Sequence, residues 1–331
     1  MARSTAQRFT LVESHGDVAL ASFATEVERG LRTKPKTLPC RFFYDEVGSE
    51  IFEQICDLPE YYLTRSEREI LDSHADEIAA SFERRIALAE LGSGSSAKTR
   101  FLIEALLRRH GGLYYVPIDI SRSMLEASSR ELLDRYEALE IRAIASEYEV
   151  GLQHLRTETE TPKLIAWLGS TIGNLGHEDA ADFLRTLRAA MSPDDRLLVG
   201  IDLRKDRAIL EAAYDDSAGV TARFNMNLLE RVNRELGGRF DLDDFEHRAV
   251  YDEVKGRVEM HLVSKREQRV AIEELGLEVE FGAQETIHTE NSHKYDQIEI
   301  DTLTSRAGLG TESQWLDSRG YFSLNLFAPA D

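Results

Sequence analysis

Cysteine is nearly absent from this chain: two occur in 331 residues, Cys40 and Cys56. With so few thiols neither a disulfide framework nor a cysteine-built metal centre is indicated, and a reducing compartment is expected. Both cysteines read as small buried hydrophobes. Basic residues are scarce beside acidic ones, 40 Lys and Arg against 60 Asp and Glu, for a net charge of −20. Phosphate backbones are held mainly by clustered cations, so a nucleic-acid partner is disfavoured and a small polar substrate is expected. Long apolar runs are missing too. No stretch approaches the roughly 20 apolar residues of a membrane span, and Met1 to Thr10 has no apolar signal core, so no membrane partner and a cytoplasmic location are expected. His288 and His293 lie close to Glu290, but no further Cys or His completes a ligand set, so no metal is expected.

What is present is 42% hydrophobic content, enough to bury one elaborate domain or two packed ones. From Ile86 to Leu203 the chain alternates short apolar runs with helical spacing: Ile86–Leu91, Tyr114–Ile118, Ile141–Ile144, Leu164–Leu168 and Leu197–Ile201 read as strands, Arg122–Leu139 and Asp179–Met191 as helices. Such alternation specifies an α/β fold with a parallel sheet covered on both faces. Ligands then gather at the carboxyl ends of the strands, around Glu90–Ser96, Asp119, Glu147, Gly169–Asn174 and Asp202. The alternation stops after Leu203. Ala208–Leu236 reads as helical, Val250–Ser264 and Leu277–Thr289 as strands, and this stretch is a distinct inserted unit. A turn signal at Asp317–Gly320 precedes a last strand, Tyr321–Phe327.

The first apolar run ends in Glu90-Leu91-Gly92-Ser93-Gly94, just before a helical pattern from Thr99. Glycines there permit a tight turn and close approach of a ligand to the backbone. Alone, this is also what any strand-to-helix turn requires, and a dinucleotide site is a further reading, since Ala97 stands at the third position of a G-x-G-x-x-G/A loop. Glu90 suits the latter less, because a carboxylate beside the loop repels a pyrophosphate; it suits a cationic ligand. The next run ends in Asp119, whose carboxylate can accept from two ribose hydroxyls. The order acidic residue, Gly-x-Gly, helix, strand, Asp resembles the first two motifs of class I methyltransferases. That resemblance implies a Rossmann-like core with a mostly parallel sheet and an antiparallel C-terminal edge strand, and S-adenosylmethionine as cofactor. Glu90, Gly92, Ser93, Lys98, Asp119 and Gly169 would hold it, and Glu147 and Tyr148 would accept from and stack on its adenine. No Asn/Asp-Pro-Pro-aromatic tetrad follows the fourth strand, unlike in methyltransferases that act on bases.

The segments Phe43–Ser49, Leu58–Arg65, Glu90–Thr99, Leu168–Leu175, Ala213–Thr221 and Thr289–Tyr295 together resemble the histidine-specific α-N-methyltransferases of ergothioneine biosynthesis. The resemblance spans nearly the whole chain. It implies trimethylation of the α-amine of L-histidine to hercynine by a monomer, with a cofactor core at 70–203 and 295–331 and an α+β substrate domain at 13–69 and 204–294. Carried over by motif, Tyr44, Asn174 and Tyr214 would hold the amino and carboxylate groups, Asn174 and Tyr44 being nearest the chemistry. Tyr61, Glu290 and Ser292 would face the imidazole, whose two nitrogens need one acceptor and one donor. Phe52 and Met260 would be apolar lining. Asn291, His293 and Leu63 depart from residues common in the family. The family includes enzymes acting on a prenylated tryptophan, so an aromatic amino acid other than histidine is a second reading. A dehydrogenase and a non-catalytic S-adenosylmethionine-binding protein are others.

Overall fold

Fourteen strands and ten α-helices lie within residues 8–13, 17–158 and 161–330, the part of the chain that the computed structural model describes. In chain order the strands are β1 (Phe9–Glu13), β2 (Lys36–Thr37), β3 (Ala87–Leu91), β4 (Leu113–Asp119), β5 (Leu139–Ala145), β6 (Lys163–Trp167), β7 (Arg196–Asp202), β8 (Phe245–Asp252), β9 (Arg257–Ser264), β10 (Gln268–Ile272), β11 (Leu277–Phe281), β12 (Thr286–His293), β13 (Leu309–Leu316) and β14 (Phe322–Pro329). The chain divides into two compact units, Met1–Ser14, Leu63–Arg204 and Lys294–Asp331 in one, His15–Tyr62 and Lys205–His293 in the other. No helix among the described residues is long and apolar enough to cross a membrane.

The first unit is an α/β layer built on one eight-stranded sheet in the order β1-β5-β4-β3-β6-β7-β14-β13. Its first six strands run parallel, which requires helical crossovers between them. β3 and β6 are buried at all five positions, as strands covered on both faces must be. Trp167, Leu184, Ile201, Tyr295 and Phe327 belong to one buried core beneath these helices. The strand order reverses at β3, between β4 on one side and β6 on the other. In such sheets ligands bind outside the carboxyl ends of the strands at this reversal, where the loop after Leu91 and the turn after Trp167 lie side by side.

Two features of this sheet differ from the sequence reading. The last strand joins antiparallel to β7 as expected, but it is interior, because β13 pairs on its far side and takes the edge. β1, only five residues long, adds a parallel strand next to β5 and was not legible as a strand.

The second unit is α+β, with a four-stranded sheet β2-β12-β9-β8 and a separate β10-β11 hairpin. The stretch read as helical, Ala208–Leu236, holds two helices, Arg207–Tyr214 and Val220–Leu236. Asp216 separates them by accepting the amides of Val220 at 2.9 Å and Thr221 at 2.7 Å, which caps the second helix. That helix buries Val220, Phe224, Leu228 and Val232, a four-residue spacing that presents one apolar stripe. Val250–Ser264 comprises the end of β8 and all of β9, and Leu277–Thr289 comprises β11 and the first half of β12.

Candidate active site

The loop from Gly92 to Thr99 is held from below and from the side. Glu90, at the end of β3, is 3% exposed, and its two oxygens accept the hydroxyls of Thr99 and Tyr115. Gly92 has φ of +72°, which favours glycine, and a side chain there would meet the Tyr148 hydroxyl at 2.6 Å. Asp119, at the end of β4, accepts the Gly94 amide at 2.9 Å and the Ser121 amide at 2.8 Å, so it orders this loop as well as its own. Burial raises the Asp119 carboxyl above its usual range, against the amides of Ser121 and Gly94. The Ser93 hydroxyl is buried without a hydrogen-bond partner in the protein, as a group reserved for a ligand would be. Tyr148 stands at the start of the helix after β5, packed edge-on to Trp167 and against Phe183, with Glu147 exposed beside it.

Burial pushes the Glu90 carboxyl up to about 7, with the bonds from Thr99 and Tyr115 pulling the other way. A carboxyl whose folded pKa lies above its unfolded value stabilises the fold below the unfolded pKa and loses that contribution as pH rises through the folded one. From 4.5 to about 7 this is about 3 kcal/mol, lost between roughly pH 4.5 and 7. Glu90→Gln is therefore expected to flatten the pH dependence of unfolding across that window and to be no less stable than the parent at pH 8. Urea unfolding at half-unit pH intervals checks this; parallel stability curves for the two proteins would count against it.

The turn after β6 carries two consecutive positive φ values, +75° at Gly169 and +57° at Ser170. The non-glycine strain is tied down from three sides. Ser170 Oγ accepts the Asp202 amide at 2.9 Å, Thr171 Oγ1 donates to the Leu168 carbonyl at 2.9 Å, and the Gly169 amide donates to both oxygens of Glu67 at 2.8 and 3.0 Å. Asn174 ends the short 3₁₀ turn that follows, Thr171–Asn174. Glu67 also pairs with Lys98, and its side chain is 0% exposed. Sequence reasoning passed over Glu67. Its signal was there: it falls at the spacing of Leu63, Glu67, Ile70 and Leu71, a charge on the buried stripe of the helix Tyr62–Ala80.

Within the second unit the structure brings together seven more of the singled-out residues. Tyr44 follows a 3₁₀ turn, Cys40–Phe43, and precedes a helix whose cap, Asp45, accepts from Gly48 N at 2.7 Å and Asn227 Nδ2 at 2.8 Å. Its ring meets Phe52 at 5.4 Å and Phe224 at 5.6 Å between centroids; Phe52 continues to Tyr61 at 6.2 Å, and Tyr61 to Tyr214 at 6.3 Å. The edge-on geometries are those that favour aromatic clustering. Tyr214 ends its helix with its carbonyl held by His247 Nε2 at 2.8 Å and its hydroxyl 2.7 Å from Ser292 Oγ. Burial drives the Tyr61 phenol well above its ordinary pKa, with Tyr214, Cys56, Tyr44 and the Glu290 charge adding to it. Burial and then Glu290 push the Cys40 thiol up to about 12, so that sulfur is inert. Both cysteines are half-buried, less than the sequence reading expected. Met260 is 2% exposed and pairs with Glu290 across β9 and β12.

A cluster of neutral hydroxyls and aromatic faces with one carboxylate can hold a small planar cation or a ring with N–H donors. The loop of the first unit, with an orphaned hydroxyl, a backbone open for close approach and a carboxylate at the next strand end, fits a nucleoside-bearing cofactor.

Comparison with known proteins bears on both. The model of the family described as histidine-specific methyltransferase, SAM-dependent, matches residues 23–329. A histidine N-alpha-methyltransferase of Mycobacterium tuberculosis is 44% identical over 322 residues, 96% of this chain and 97% of the relative. One of Mycolicibacterium smegmatis is 42% identical over 316 residues, 94% of this chain and 96% of the relative. Ergothioneine biosynthesis protein 1 of Neurospora crassa is 33% identical over 312 residues, which are 92% of this chain and 35% of that longer protein.

Proposed function

The chain belongs to the histidine-specific, S-adenosylmethionine-dependent methyltransferases, and on that premise we propose that it methylates the α-amine of L-histidine three times to hercynine, a step of ergothioneine biosynthesis. The observation that carries this reading is the hydrogen bond of Ser292 to Tyr214, whose ring packs on Tyr61, with half-buried Glu290 near enough for its charge to act on the Tyr61 phenol. A carboxylate acceptor and a hydroxyl donor at that spacing answer the two nitrogens of imidazole; indole offers one donor.

The cofactor of this family supplies an electrophilic methyl group on a sulfonium. In our reading Glu90, Gly92, Ser93, Lys98 and Gly169 would hold its amino acid end, Asp119 its ribose, and Glu147 and Tyr148 its adenine. Asn174 and Tyr44 would orient the substrate's amine for transfer, and Tyr214 would share in holding its carboxylate. Each methylation forms one N–C bond, breaks one S–C bond and leaves a proton for water while the amine still carries one. No side chain is needed as a committed base, and positioning supplies most of the acceleration. The same reading makes the protein a cytoplasmic monomer acting on a small molecule, in keeping with its acidic surplus.

Incubation with S-adenosylmethionine and an equimolar mixture of L-amino acids, followed by mass spectrometry, tests it. The expected result is a gain of up to three methyl groups on histidine alone. Gain on tryptophan instead would keep the chemistry and overturn the substrate; no gain on any amino acid would sink the catalytic reading.

A further inference from the structure

We propose that the side chains facing the imidazole owe their direction to a β-bulge at Thr289, and that Thr289 is a positioning residue for Glu290 and Ser292. The proposal rests on the histidine reading above. The register of β12 against β9 carries it. Ile287 pairs with Leu262 and His288 with His261; then Glu290, not Thr289, pairs with Met260, followed by Asn291 with Glu259 and Ser292 with Val258. One residue of β12 is therefore extra, and it is Thr289.

Cross-strand partners share a face, and side chains alternate faces along a strand. Ile287, Leu262, Met260 and Val258 are all at most 2% exposed, so they mark the inner face. His288 and His261 mark the other, their rings 5.2 Å apart. Unbroken alternation would return Glu290 and Ser292 to the His288 face and give the inner face to Thr289 and Asn291. The extra residue reverses this, since a slip of one flips every later side chain. Two contacts show the result. Ser292 reaches the Tyr214 hydroxyl at 2.7 Å, on the inner face, while Asn291 Oδ1 meets His288 Nε2 at 3.0 Å, on the other.

Thr289 has a means of holding the bulge. It is 2% exposed, and its hydroxyl donates to the carbonyl of Met260, the residue opposite the irregularity, at 3.1 Å. A β-branched residue resists rotation about χ1, so that hydroxyl is kept in place. Nothing in the sequence pattern marks the bulge, because Thr286 to His293 has no apolar alternation to break.

The test uses the full chain with S-adenosylhomocysteine bound, and measures L-histidine affinity by calorimetry. Thr289→Val keeps the shape and removes the donor; it is expected to weaken histidine binding about tenfold, a lost buried hydrogen bond with a loosened ligand pair. Thr289→Ser restores the donor and is expected to bind within about threefold of the parent. Deletion of Thr289 removes the extra residue and is expected to weaken histidine by more than about a hundredfold. S-adenosylhomocysteine affinity should hold in all three, because the cofactor loop belongs to the other unit. Thr289→Val binding histidine as the parent does, or a deletion variant that binds both ligands normally, would overturn the proposal. If the deletion variant does not fold, the Val and Ser pair still decides. A parent that binds S-adenosylhomocysteine but no histidine overturns the functional reading itself, and with it this role, an outcome distinct from a parent that binds histidine and a Val variant that does too.

Discussion

Gly200→Ala should destabilise the protein by about 3 kcal/mol, although alanine is ordinarily the better residue in a strand. Gly200 lies in β7 opposite Leu324, and a Cβ built there would overlap Glu67 Oε1, with the Phe322 ring 3.0 Å away. A glycine inside a strand marks the close approach of another group, and here that group is a carboxylate with nowhere to go. Glu67 is fully buried and accepts the Gly169 amide while pairing with Lys98. Pushing it aside strands a buried donor, which costs about 1–3 kcal/mol, and adds the strain of overpacking, about as much again. Glu67→Ala should cost a similar amount by leaving the amide unpaired and a cavity behind. The two changes share one space, so the double variant is expected to be at least about 1 kcal/mol more stable than the sum of the singles predicts. Urea unfolding of the four proteins measures this. A Gly200→Ala protein within 0.5 kcal/mol of the parent, where ordinary surface substitutions fall (about ±0.5 kcal/mol), would show that Glu67 can move without loss. Because Lys98 and Gly169 flank the reversal of strand order, S-adenosylmethionine affinity should fall in both single variants.

Glu290→Ala should lower kcat/KM for histidine by roughly 10- to 100-fold, the loss of a hydrogen bond to a charged group worth about 1.5–3 kcal/mol. The imidazole does not change during methyl transfer, so Glu290 serves ground state and transition state alike, and the loss should fall on KM with kcat nearly kept. Steady-state kinetics on histidine distinguish this from general damage to the cluster around Tyr61 and Tyr214, which would lower kcat as well. An unchanged KM for histidine would remove Glu290 from the imidazole.

The sequence by itself determined the sheet and where its ligands gather. β3, β4, β6 and β7 are apolar runs that can be buried only as inner strands of a parallel sheet, and the glycines, Glu90 and Asp119 at their ends follow from that. It also held the motif residues of the second unit, but as isolated letters: without their motif, Tyr61 reads as core and Glu290 as a solvated charge. What only the tertiary structure decided is direction and neighbourhood. β1 is too short to declare itself and exists because the open edge of β5 accepts it. β14 is interior because β13 folds back beside it. Glu67 became a tie between Lys98 and Gly169 because Gly200, more than a hundred residues away in sequence, leaves it room. Glu290 faces the aromatic cluster because one extra residue shifts β12 against β9. Periodicity reports what a residue is and how often it recurs; which face it ends on depends on pairing with a distant strand, and that is fixed only when the sheet forms.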